Sequence, residues 1–108
     1  MTIIGVAVND MPLLVADTRY TTSFYKAFMN YCIENYPIIN SNSKVLKARF
    51  KPSQNHPDFK RARAYKRIVG HNGVYYSTYN DNIRKRCIIE EVAAELGINL
   101  RIITSNNP

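Results

Sequence analysis

The sequence predicts a small single α+β domain with a mainly antiparallel sheet and two helices on one face. Three features lead there. Runs rich in β-branched residues lie at both ends of the 108-residue chain. Two stretches carry apolar residues at helical spacing behind capping residues. Turn-forming Gly, Asn, Asp and Pro separate the runs. The length suits one domain, residues 1–108, and leaves no room for two.

Residues 2–9 read as a strand, Asp10-Met11-Pro12 as a turn, and Leu13 to Arg19 as a second strand. Thr21-Thr22-Ser23 offers N-caps for a helix from Phe24 to Tyr36. Phe24, Phe28, Tyr31 and Cys32 form its apolar face, and Pro37 ends it. Residues 40–43 are a loop. Val45 to Phe50 alternates in part, which predicts a strand with one basic face. Residues 58–69 fit either a helix with Phe59, Ala62, Tyr65 and Val69 on one face, or a strand entering a hairpin at Gly70-His71-Asn72-Gly73. The hairpin is the favoured reading, with Val74 to Tyr79 as its return strand. Asn80-Asp81-Asn82 caps a helix from Ile83 to Leu96, whose expected buried stripe is Ile83, Cys87, Ile88, Val92 and Leu96. Gly97 stands where a C-terminal glycine belongs. Leu100 to Thr104 is a final strand, and residues 105–108 a frayed tail.

The net charge of +7 is unevenly distributed. Residues 1–43 sum to −1, residues 44–86 to +10 and residues 87–108 to −2. Such polarisation points to a polyanionic partner. Two clusters stand out. In the first, Lys60, Arg61, Arg63, Lys66 and Arg67 are interleaved with Phe59 and Tyr65. Arginine forks onto phosphate, and tyrosine stacks on bases. In the second, Arg84, Lys85 and Arg86 occupy the first turn of the last helix, where cations oppose the helix dipole. A sequence tuned only for stability would place acids there. With Tyr75 and Tyr76 as further stacking surfaces, these residues are the candidate nucleic-acid or anion-binding set. Arg86 and Glu90, at i and i+4, also suit a simple surface pair.

The leading expectation is a basic protein that binds DNA or RNA through phosphate contacts. The alternative is a phage-type interaction module or inhibitor that docks on an acidic surface of a host protein. Exposed strand edges make a homodimer a further expectation.

Other classes find little support. His56 and His71 match no metal-ligand spacing, so no metal or other cofactor is implied. Cys32 and Cys87 are too few for a disulfide framework and read as small apolar residues on buried helix faces. No apolar run approaches the ~20 residues of a membrane span. No basic region precedes the apolar N-terminus as in a signal peptide, so a cytoplasmic location, that of the host if the source is viral, is expected.

The acids do not cluster into a catalytic group, and Asp17 alone lies within an apolar strand. Thr2-Ile3-Ile4-Gly5-Val6 followed by Leu13-Leu14-Val15-Ala16-Asp17-Thr18-Arg19 resembles the first hairpin of proteasome β subunits, which are N-terminal-nucleophile hydrolases. By that resemblance Asp17 matches the family's second-strand aspartate. Met1 rather than Thr2 then falls on the nucleophile position, and Ile33 stands where that family has a lysine. The hydrolase activity is therefore not carried over.

Overall fold

In the computed structural model, residues 2–13, 21–61 and 67–105 are described. Strand β1 (Thr2–Val8) reverses through Asn9-Asp10 into β2 (Met11–Leu13), with Val8 opposite Met11. Asn9 and Asp10 have φ of 50° and 67°. A two-residue hairpin loop of type I′ has positive φ at both centres, and Asn and Asp tolerate it. The turn therefore falls one residue before the expected Asp10-Met11-Pro12. Pro12 lies in β2 opposite Ala7, which is tolerable because β2 is an edge strand in the order β2-β1-β5. Leu14 to Arg19, the rest of the expected second strand, lies outside the described residues.

Strand β5 (Leu100–Ser105) runs antiparallel to β1 on its other side, with a register shift between Ile3 and Gly5. Its entry is tied to the first turn. The Asn9 amide donates to the Asn99 carbonyl at 2.8 Å, and the Asn99 amide donates to Asn9 Oδ1 at 3.0 Å.

Helix α1 (Thr21–Asn35) covers this sheet. Phe24, Phe28 and Cys32 face inward as expected, joined by Tyr25 and Met29. Helix α4 (Asn82–Leu96) packs on α1. Asp81 Oδ1 accepts the Arg84 amide at 2.7 Å, and Gly97 closes the helix at φ 69°. Its buried face is turned from the expected stripe. Lys85, Ile88, Ile89, Val92 and Ala93 are buried, whereas Ile83 is 79% exposed and Cys87 is exposed. Two adjacent isoleucines and a Val-Ala-Ala run allow more than one apolar face, and the choice falls to tertiary packing.

Between α1 and α4 the expectation for Val45 to Phe50 fails. Those residues belong largely to helix α2 (Lys44–Arg49), capped by Ser43, whose Oγ accepts the Leu46 amide at 3.2 Å. Leu46 is buried, and Arg49 Nε donates to Glu91 Oε1 at 3.1 Å, joining α2 to α4. Pro57 opens a short helix α3 (Pro57–Arg61), so part of 58–69 is helical. Residues 62–66 lie outside the described residues, and Arg67 leads into β3 (Ile68–His71), which turns at Asn72-Gly73 into β4 (Val74–Ser77). Asn72 and Gly73 have φ of 51° and 77°. Lys51 extends this hairpin by pairing both its backbone groups with Tyr75 at 2.8 Å.

The fold is thus α+β, and every strand pairing among the described residues is antiparallel. The strands form two sheets rather than one, and the described residues include four helices rather than two. The radius of gyration, 13.6 Å, matches the ~13 Å expected of a single domain of ~100 residues. One core joins the elements. In it Tyr76 stacks edge-on against Tyr25 and Phe50, with centroids 6.0 and 6.3 Å away.

Candidate anion-binding surface

The surface is organised by Arg67, the residue that leads into β3. Its carbonyl accepts both the Thr78 amide at 2.8 Å and Thr78 Oγ1 at 3.0 Å. This fixes the start of β3 against the segment joining β4 to α4. Arg67 then lines an open hollow of about 380 Å³ with Tyr79, Asn80 and Asp81. It also lies close enough to Lys85 to disfavour a second positive charge there. The end of the first basic cluster therefore meets the first turn of α4, where the second cluster sits.

Lys85 is the unusual member. It is only 5% exposed, and among the described residues its ammonium donates one hydrogen bond, to Thr22 Oγ1 at 2.9 Å. Burial lowers its pKa most, the Arg67 charge lowers it further, and the Asp81 carboxylate partly opposes both. Arg84 is exposed and forms no ion pair among the described residues. Arg86 is bound to Glu90 at 3.1 Å, the surface pair its spacing suggested.

The first cluster is only partly in view. Lys60 is exposed and lines a groove of about 650 Å³ with Gln54, Asn55 and Ile68, next to Arg67. Arg61 ends α3. Arg63, Tyr65 and Lys66 lie outside the described residues. One stacking candidate, Tyr76, is corrected. Tyr76 has no exposed surface, and its hydroxyl donates to Asn30 Oδ1 at 2.8 Å, so it is a core residue. Tyr75 is half-buried, its ring lying over Gly70, where an added Cβ would come within 2.6 Å of it.

Sequence reasoning missed three residues. Arg49, Lys51 and Tyr79 line a second hollow of about 140 Å³, together with Tyr25, Asp58 and Asn80. Lys51 is buried, its Nζ donating to Asp58 Oδ2 at 2.8 Å and to the Lys47 carbonyl at 2.6 Å. Tyr79, 50% exposed, belongs to both hollows. Arg49 falls on the basic face expected of 45–50, but helix α2 rather than a strand carries it to this hollow. The sequence pattern runs the strand to Tyr79, which lies just beyond β4.

The histidines serve local structure. His71 Nε2 meets Glu34 Oε1 at 2.7 Å, from within β3 rather than a loop, and His56 Nδ1 accepts the Asp58 amide at 3.2 Å. No three His, Cys, Asp or Glu side chains among the described residues are grouped to hold a metal ion. Nor is any described helix long and apolar enough to cross a membrane. The chain matches no known protein family, no curated protein and no solved structure.

Proposed function

We propose that this protein binds nucleic acid, through phosphate contacts made by Arg67, Arg84 and Lys60, with Arg61, Arg63 and Lys66 extending the same basic stretch. One observation carries the reading. Arg67 is held against the first turn of α4, beside a buried lysine and with Asp81 as the nearby carboxylate. Cations at the positive end of a helix oppose its dipole, and the proximity of two further cations costs stability. A bound phosphate would relieve both costs, and helix-terminal amides favour an anion there.

The test is a titration into labelled oligonucleotides at several salt concentrations. Each phosphate neutralised adds about 0.7–0.9 to the slope of log K against log salt. Arg67→Ala and Arg84→Ala should each flatten that slope by about 1. Absence of binding at low salt would end the reading.

A second reading has its own support. Ile83 is 79% exposed beside Arg84 on the first turn of α4, an apolar residue next to an exposed cation. That combination suits an acidic protein surface with an apolar centre. A stoichiometric protein partner retained after nuclease treatment, and lost on Ile83→Asp, would favour it over nucleic acid.

A further inference from the structure

Resting on the nucleic-acid reading, we infer that the ligand is a single strand and that Tyr79 is the platform on which one of its bases stacks. The ring is half exposed, and its hydroxyl makes no hydrogen bond among the described residues. Its backbone, in contrast, is fastened on both sides. The Tyr79 amide donates to Ser77 Oγ at 3.0 Å, the Thr78 amide to the Arg67 carbonyl at 2.8 Å, and the Asn80 amide to the Thr78 carbonyl at 2.9 Å. An exposed ring on a fixed backbone loses little freedom when a base covers it.

The surroundings suit a strand passing over that ring. Tyr79 lines both the hollow with Arg67 and Asp81 and the hollow with Arg49, Lys51 and Asp58. Asp58 is bonded to Lys51, Asp81 caps α4, and Arg49 is bonded to Glu91 through Nε. Arg67 and Arg49, which line the two hollows that share Tyr79, are the cations assigned to the phosphates that flank the stacked base. A duplex keeps its base faces stacked on each other, so it could use the cations but not the ring. Stacking on aromatic side chains tolerates any base, so little sequence preference is expected.

The experiment compares single-stranded RNA, single-stranded DNA and duplex DNA of equal length, at matched salt, on wild type, Tyr79→Ala and Tyr79→Phe. The expected result is a single strand of either chemistry bound at least ~10-fold more tightly than duplex. Tyr79→Ala should remove that margin with the salt slope unchanged, and Tyr79→Phe should keep it. The variants' melting temperatures check that folding is retained, as expected for a half-exposed ring outside the core. Equal binding of single strand and duplex would overturn this inference and leave the nucleic-acid reading standing. So would a single-strand margin that survives Tyr79→Ala. Failure of the wild type to bind any of the three would overturn both.

Discussion

Replacing Lys85 by Met tests whether the buried cation is held against the interests of stability. Met has a similar length and fills the same channel between α4 and α1 without a charge. The change removes one hydrogen bond, from Nζ to Thr22 Oγ1 at 2.9 Å. A bond from a charged donor contributes about 1.5–3 kcal/mol, but Thr22 is only half-buried and its hydroxyl can turn to water. Against that loss stand the desolvated ammonium and its repulsion from Arg67, both of which hold the Lys85 pKa down. Apolar replacement of buried charged groups is often neutral or stabilising by about 1–4 kcal/mol.

The net expectation is a change between zero and about 2 kcal/mol in favour of the variant, with the melting temperature rising by up to about 8 °C. The pH dependence follows from the same cause. Because the folded-state pKa lies below the unfolded one, the unfolded chain holds the proton longer, and stability rises with pH between the two values. Lys85→Met should lack that alkaline gain. Burial pushes the Tyr25 phenol up to about 12 and raises Tyr76 as well, so both proteins lose stability above about pH 10. The Lys85 contribution is the difference between the two curves, measured by urea denaturation from pH 7 upward. Destabilisation of the variant by more than about 2 kcal/mol at pH 7 would refute the reasoning, because the ammonium would then be a net structural tie.

The two cysteines should separate cleanly. A thiol reagent under native conditions is expected to label Cys87, which is exposed, and to spare Cys32, which is buried with its pKa pushed up to about 12. Mass spectrometry showing two adducts before unfolding would contradict the packing of α1. Gly97→Ala should cost about 1 kcal/mol, read by thermal melting. The residue sits at φ 69° with open space around its α-carbon, so the cost is conformational. Tyr76→Phe should cost about 0.5–1.5 kcal/mol in denaturant unfolding, because it removes the hydroxyl that donates to Asn30 Oδ1 and to the Lys26 carbonyl, both part-buried bonds. The same substitution should leave oligonucleotide affinity unchanged.

Where the chain states its local chemistry plainly, the sequence sufficed. Phe24, Phe28 and Cys32 at helical spacing before Pro37 specify α1, and Asp81 with Gly97 bounds α4 within a residue. Asn72-Gly73 specifies the second hairpin turn. Elsewhere two local patterns competed. Val45 to Phe50 is six residues long, and alternation over that length also suits one and a half helical turns. The Ser43 cap was the deciding signal, and it lay just outside the run. In α4, apolar residues on adjacent positions left the buried face to be chosen by contacts from α1 and α2.

The surface divides the same way. Charge polarisation along the chain drew attention to residues 60–67 and 84–86, and Arg67 does meet the first turn of α4. Which tyrosines are available was not legible, because four of the relevant positions, 75, 76, 79 and 25, differ only in the elements that cover them. Tyr76 enters the core from an inward position of β4, whereas Tyr79 escapes it by lying three residues on, past the strand's end.

The sheet built on β1 has an implication for how the protein is made. Its central strand precedes all the other described elements in the chain, yet one of its two neighbours, β5, comes last among them, and the Asn9–Asn99 clasp spans ninety residues. During translation β1 would have one flank bare until β5 had emerged. Long-range pairing of this kind slows folding. The nascent chain should therefore expose an apolar ribbon, rich in Ile and Val, that invites chaperone capture, and a ribosome stalled shortly before Leu100 should leave the chain protease-sensitive while one stalled well past Ser105 should not.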